Sequence, residues 1–66
     1  MPEGTDFKHA PGWLKKCCKA VHMTPTHYSV IGGDMTHDEN FTVKVWNGKK
    51  EKTFDQDDRD YAIRYL

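Results

Sequence analysis

The sequence has few cysteines, no net charge and no long apolar run, and each of these features argues against a class of protein. Its only cysteines, Cys17 and Cys18, are adjacent. Adjacent cysteines rarely bridge each other because the ring is strained, so no disulfide framework is expected and a reducing, cytoplasmic setting is predicted. No apolar run is long enough to span a membrane, and the first residues lack the apolar core of a signal peptide. A dedicated nucleic-acid binder usually carries a positive excess, which is absent here.

The length of 66 residues predicts one small domain with little room for a catalytic cleft. Cys17 or Cys18 could pair with a histidine as nucleophile and base, but no orienting third group or oxyanion hole occurs at a recognisable spacing. Gly32-Gly33 lacks the Lys-Ser/Thr that follows a phosphate-binding loop. We therefore expect a protein that is not an enzyme and needs no cofactor. Residues 1–10 mix proline, glycine and charges without a period, which predicts a flexible lead-in to a domain over 11–66.

The first half of that domain predicts a helix and a strand. In residues 12–23 the apolar side chains recur at helical spacing, and Thr24-Pro25 is expected to end the helix because the residue before proline avoids the α region. Residues 27–31 are rich in aromatic and β-branched side chains, which is typical of a short strand, and Gly32-Gly33 is expected to end it.

Residues 41–54 carry the strongest local signal, since two alternating segments flank Asn47-Gly48. This dipeptide favours a two-residue hairpin turn, which would place Trp46 opposite Lys49 and Lys44 opposite Glu51. The second pair is expected to form a cross-strand ion pair. In that register one face of the hairpin is apolar and is expected to join the core. Its members are Phe41, Val43, Val45 and Phe54.

Residues 56–66 predict a second helix with Asp55 as its N-cap. Its inner face is expected to carry Ala62, Tyr65 and Leu66, with Tyr61 and Ile63 flanking it. The predicted fold class is therefore α+β, a single small domain in the order α-β-β-β-α. We expect a three-stranded antiparallel sheet with two helices on one face.

That order is similar to the order of elements in the double-stranded-RNA-binding domain. The stretch from Tyr28 to Phe41-Thr42-Val43-Lys44-Val45 resembles that family's first two strands. The resemblance implies a basic start to the last helix, which grips phosphates. Here the corresponding segment reads Asp55-Gln56-Asp57-Asp58-Arg59-Asp60, so the charge is inverted and the family's RNA-binding activity is not carried over.

Acidic residues are concentrated around the start of the predicted second helix. First-turn aspartates can cap a helix and other carboxylates keep a small protein soluble, but the density exceeds what capping needs. It favours a negative face that docks on a basic surface, with carboxylates in the place of phosphates. The residues of this predicted face are Glu51, Asp55, Asp57, Asp58 and Asp60, joined by Asp38 and Glu39 of the preceding loop.

Two other groups of residues suggest different chemistry. The candidate for direct nucleic-acid binding is formed by Trp46, Lys44 and Lys49 on the open sheet face, together with the lysines of the first predicted helix. Trp46 is also a candidate interface anchor. A second group offers zinc-ligand types but matches no established spacing, and its cysteines also serve the apolar stripe of the helix, so no metal site is predicted. Its members are Cys17, Cys18, His22 and His27.

These observations lead to one functional hypothesis and one alternative. The hypothesis is an interaction protein, an inhibitor or modulator, whose acidic face docks on a basic protein and mimics nucleic acid to block a nucleic-acid-binding protein. A stand-alone chain of this size with a polarised surface is typical of proteins that a virus or mobile element uses against its host. The alternative is a small nucleic-acid-binding domain that uses the lysines and Trp46.

Overall fold

The computed structural model describes residues 4–34 and 39–66, which form an α+β domain with two helices and an antiparallel sheet. Its elements are β1 (Thr5–Asp6), a 3₁₀ turn (Phe7–His9), α1 (Gly12–Ala20), β2 (His27–Asp34), β3 (Glu39–Asn47), β4 (Lys50–Asp55) and α2 (Gln56–Tyr65). The predicted fold class is confirmed, but the predicted strand count is wrong. In the described residues the sheet has four strands, in the order β1-β2-β3-β4.

The additional strand, β1, comes from the segment that was predicted as a lead-in. Thr5 pairs with Tyr28 and Asp6 with His27, so β1 adds an edge to β2. The Phe7 N–H donates to the Thr26 carbonyl at 2.9 Å, directly after the strand. A strand of two residues has no periodicity to detect, and backbone bonding to the edge of β2 is what defines it.

Helix α1 ends at Ala20, earlier than the predicted end before Thr24-Pro25. The His22 N–H donates to the Lys19 carbonyl at 3.1 Å, and the Met23 N–H donates to the Cys18 carbonyl at 2.8 Å. This pair of bonds is a Schellman motif, and it requires a residue with positive φ directly after the last turn. His22, with φ of 58°, occupies that position, which glycine usually takes.

Strand β2 continues through Gly32-Gly33, where the sequence predicted its end. The register with β3 shifts on both sides of Gly32, so the two glycines lie in an irregular stretch of the pair. Gly33 has φ of 77°, and a Cβ there would collide with the Asn40 carbonyl. Glycine therefore lets the strand bend here without ending it.

The hairpin between β3 and β4 is confirmed, but its predicted register is wrong. Asn47 pairs with Lys50, so the turn is Gly48-Lys49. Gly48 has φ of 61° while Lys49 does not have a positive φ, as in a type II′ turn. The Asn47 side chain donates instead to the Thr24 carbonyl at 2.6 Å. Each residue of β3 pairs with a residue of β4 two positions later than predicted. Since side chains alternate between faces with a period of two, each side chain keeps its predicted face.

The predicted apolar face of the hairpin is confirmed as part of the core. Phe41, Val43, Val45 and Phe54 are all buried. Leu14, Cys17 and Cys18 from α1 and Ala62 from α2 are buried as well. Because both helices contribute to the cluster that contains Val43 and Val45, they pack on that side of the sheet and leave the alternate face, with Lys44 and Trp46, uncovered by them.

Candidate protein-binding surface on helix α2

The start of α2 is held by a reciprocal pair of aspartates. The Asp58 N–H donates to the Asp55 carboxylate at 3.1 Å, and the Asp55 N–H donates to the Asp58 carboxylate at 3.1 Å. This is a capping box with Asp in the third position, and it satisfies two backbone donors that the helix leaves without partners. Both carboxylates therefore serve the helix itself.

The body of α2 makes little contact with the core. Of its ten residues, all of which the structure describes, Ala62 alone is buried. The Cys17 thiol lies 3.6 Å from the Asp58 carbonyl and links α1 to the start of the helix. Because alanine has a short side chain, α2 can lie close to α1, β3 and β4, while most of its other side chains remain exposed.

The outward surface combines aromatic, aliphatic and acidic side chains. Tyr61 is 57% exposed, Ile63 61% and Tyr65 67%, and Leu66 after the helix is 45% exposed. The predicted inner face of Ala62, Tyr65 and Leu66 is therefore wrong except at Ala62. The rings of Tyr61 and Tyr65 lie 5.0 Å apart in a tilted pair.

Two of the predicted acidic residues share this surface. Asp57 and Asp60 are exposed. Asp57, Tyr61 and Tyr65 follow each other at a spacing of four residues, which places them in one row along the helix. The Asp60 carboxylate lies 3.4 Å from the Arg59 guanidinium, an ion pair in which the Asp60 side chain remains 54% exposed. Ile63 lies two residues from each tyrosine and so faces another side of the helix. We call the set Asp57, Asp60, Tyr61 and Tyr65 the α2 surface.

The remaining predicted site residues lie elsewhere. Glu51 is opposite Trp46 on the uncovered sheet face, and its carboxylate lies 3.4 Å from the Lys44 ammonium. The predicted Lys44–Glu51 ion pair is thus confirmed, although the two residues are diagonal neighbours rather than direct partners. Glu39 is the first residue of β3, and Asp38 lies outside the described residues.

Trp46 has neighbours that the sequence did not indicate. Its ring is half-buried and stacks on His27, with centroids 5.9 Å apart and planes 14° from parallel. Its backbone carbonyl accepts from the Thr26 N–H at 2.9 Å. A Cβ at Gly4 would collide with the indole ring, so the N-terminal segment passes directly against it. The ring thus packs within the fold on at least two sides.

Sequence reasoning missed Tyr61 and Tyr65 as exposed site candidates because it placed Tyr65 on a buried helix face and Tyr61 at the flank of that face. The signal that could have found them is composition. Between Gln56 and Tyr65 the face centred on Ala62 includes charged Asp58 and Arg59, so it is too polar to be buried over its whole length.

Two further properties concern the described residues as a whole. Within 4–34 and 39–66, no cluster of three or more His, Cys, Asp or Glu side chains could hold a metal ion. In the same ranges, neither helix has the length and apolar character needed to cross a membrane.

Comparisons with family models, with curated proteins and with solved structures found no match for this chain. The candidate surface is therefore interpreted from its own chemistry.

Proposed function

We propose that the protein is a non-catalytic interaction protein that docks the α2 surface on a basic region of a larger protein. The observation that carries this proposal is the exposure of α2, which buries one of its ten residues and presents the neighbouring rings of Tyr61 and Tyr65 to solvent. Exposed apolar side chains grouped on one element are typical of a protein-binding site.

The chemistry of the α2 surface indicates what kind of partner would fit. Tyr61 and Tyr65 are rigid side chains with large contact area, and tyrosine is enriched among residues that dominate binding energy. Asp57 and Asp60 lie beside them and add negative charge. A complementary partner therefore offers an apolar groove flanked by lysine or arginine, and the carboxylates would speed and orient its approach.

The capping box supports binding by keeping the helix ordered before the partner arrives. Asp55 and Asp58 close the first turn through two hydrogen bonds of 3.1 Å. A preordered helix loses less conformational entropy on binding than a segment that must first fold. In this proposal Asp55 and Asp58 support the surface, whereas Asp57 and Asp60 contact the partner.

Inhibition of a nucleic-acid-binding protein is the finer form of the proposal. A basic groove that normally holds phosphates is one kind of surface that would accept Asp57 and Asp60 beside an apolar anchor. If the partner is of this kind, duplex DNA or RNA competes with the protein for it.

The test starts from affinity capture with the full chain, followed by measurement of Kd for the purified pair by calorimetry. Asp57→Lys and Tyr61→Ala are each expected to weaken binding about tenfold or more, because they invert a contact charge and remove an anchor. Glu51→Lys makes the same change of charge on the sheet and is the matched control. Unchanged affinity in both α2 variants, with native circular dichroism, would contradict the proposal.

The alternative of direct nucleic-acid binding is an outcome of a second measurement. Lys44 is paired with Glu51 and Trp46 packs on His27, so the sheet face offers fewer free groups than the sequence predicted. Mobility shifts of DNA and RNA by the purified protein at low salt, abolished by Lys44→Gln, would replace the proposed function with this alternative.

A further inference from the structure

A groove on the other side of α1 carries chemistry opposite to that of the α2 surface. It has a volume of about 560 Å³ and lies between α1, the turn after it and the 3₁₀ segment. Cys17 faces α2 through its contact with the Asp58 carbonyl. Lys15 and Lys19 lie roughly half a turn or more around the helix from Cys17, so the groove and the α2 surface are on different sides of α1.

The floor of the groove is apolar. Phe7 and Met23 are half-buried and Cys18 is 1% exposed, and all three line the groove. Burial raises the pKa of the Cys18 thiol to about 11, so the thiol is uncharged at neutral pH and adds no negative charge to this floor. An apolar tail placed here would be removed from water on one side.

The rim of the groove is rich in nitrogen donors. Lys15, Lys19 and His22 line it, and among the described residues no carboxylate does. The Lys15 ammonium also donates to the Lys8 carbonyl at 3.0 Å, which holds it at the rim while leaving further N–H donors for another acceptor. The rim is therefore complementary to one anionic group.

The backbone at His22 adds an independent reason to assign a role to this rim. His22 is the left-handed residue of the Schellman motif, a position where glycine has no steric penalty. Histidine there costs about 1 kcal/mol relative to glycine. The side chain of His22 leaves this turn beside two lysines and over an apolar floor, so its imidazole adds a third nitrogen-bearing group to the rim.

We propose that the groove binds a small amphiphilic carboxylate, with its apolar chain against Phe7, Cys18 and Met23 and its anionic group at Lys15, Lys19 and His22. The volume lies within the range of about 300–1,000 Å³ that small-molecule pockets occupy. The proposal uses none of the residues of the α2 surface, so it does not depend on the proposed function.

The test is a titration of the isotopically labelled full chain with decanoate, followed by nuclear magnetic resonance. We expect saturable shifts of the Phe7, Cys18, Lys19 and Met23 amides. Decanol, which has the same chain without the charge, is expected to bind about tenfold more weakly or worse. Shifts that do not saturate, equal binding of decanol, or shifts confined to Tyr61 and Tyr65 of α2 would overturn the proposal.

Variants distinguish specific binding at the rim from general electrostatic attraction of an anion to the protein. The double variant Lys15→Gln, Lys19→Gln is expected to weaken decanoate binding about tenfold or more. The double variant Lys16→Gln, Arg64→Gln is the matched control, because it also removes two exposed positive charges and neither residue lines the groove. An equal loss in the control would reduce the effect to net charge and overturn the site.

His22→Gly tests the strained position without risk to folding. Glycine adopts the left-handed conformation freely, so this variant is expected to melt at the same or a higher temperature. It is also expected to bind decanoate more weakly, because the imidazole is gone. A variant that binds as tightly as the natural chain would remove His22 from the proposed site.

Discussion

At the residue scale, position decides what each carboxylate of α2 does. Asp55 and Asp58 have the same chemistry as Asp57, yet their oxygens accept backbone N–H groups at the start of the helix. Asp57 is not a member of that capping box and is exposed. The cysteines differ in a similar way, since Cys17 contacts the start of α2 and Cys18 lies under the groove beside α1.

Ionisation of Cys18 is expected to lower the free energy of unfolding at alkaline pH. Burial, and secondly the adjacent Cys17, raise the pKa of the Cys18 thiol from 9.0 to about 11. As the pH rises, the thiol loses its proton at a lower pH in the unfolded chain than in the folded one. The free energy of unfolding is therefore unaffected by ionisation of this thiol below pH 9 and declines between pH 9 and about 11. We expect a decline of up to about 2 kcal/mol in urea unfolding.

The variant Cys18→Ala is the control for that decline. Alanine cannot ionise, so the free energy of unfolding of this variant should fall less steeply over the same pH range, although its stability is lower throughout because a buried atom is lost. Parallel curves for the two proteins would show that the Cys18 thiol has no part in the pH dependence.

At the element scale, the stability of α2 depends more on hydrogen bonds at its ends than on burial of one face. Most helices gain stability by burying an apolar stripe. Here Ala62 is the buried residue of the helix, and the capping box of Asp55 and Asp58 supplies order at the N-terminus. The Leu66 N–H donates to the Ala62 carbonyl at 3.0 Å and continues the hydrogen bonding beyond the last turn.

Substitution at the two kinds of aspartate separates capping from charge. Asp55→Ala removes the acceptor for the Asp58 N–H and is expected to destabilise the protein by about 1–2 kcal/mol. Asp57→Ala removes only a favourable charge near the helix dipole and is expected to cost about 0.5 kcal/mol. Thermal unfolding measures both, and equal losses would mean that the capping box adds nothing beyond charge.

At the scale of the whole molecule, the N-terminal segment closes the fold. Phe7 packs against the core and meets Tyr28 edge to face, with centroids 6.3 Å apart. Ala10 is buried, and the Tyr28 hydroxyl donates to the His9 carbonyl at 3.3 Å. The boundary predicted at residue 11 would therefore remove core contacts together with β1.

A small domain has little stability to lose, so this segment is expected to matter. Phe7→Ala should lower the free energy of unfolding by about 2–3 kcal/mol, since it removes a partly buried aromatic ring. Lys8→Ala, an exposed neighbour, should change it by about 0.5 kcal/mol or less. Urea unfolding followed by tryptophan fluorescence compares them, and similar stabilities would support a domain confined to 11–66.

The charge distribution also belongs to the whole molecule. Residues 1–33 carry four lysines against two acidic groups, and residues 34–66 carry six basic against eight acidic groups. The fold places Lys15 and Lys19 of α1 beside the groove and the outward aspartates on α2. A chain with zero formal charge thus presents two surfaces of opposite charge, which its composition alone does not reveal.

What the sequence determined by itself is local. Alternation in β3, helical spacing in α1 and the Asp55 N-cap each act within a few residues, so the buried Val43, Val45, Leu14 and Cys18 could be predicted. The candidate site could be predicted only as a concentration of charge. Apart from the Asp55 N-cap, whether an aspartate pairs or remains exposed depends on the atoms around it, and no pattern in the chain records those.

What only the tertiary structure decided involves contacts between distant segments. The edge of β2 defines β1, and the bond from Asn47 to the Thr24 carbonyl accompanies the hairpin turn at Gly48-Lys49. The exposure of Tyr61 and Tyr65 follows from the limited surface that α1 and the sheet offer to α2. Periodicity states which side chains share a face, but burial requires a partner of sufficient area, and only the folded chain determines whether that partner exists.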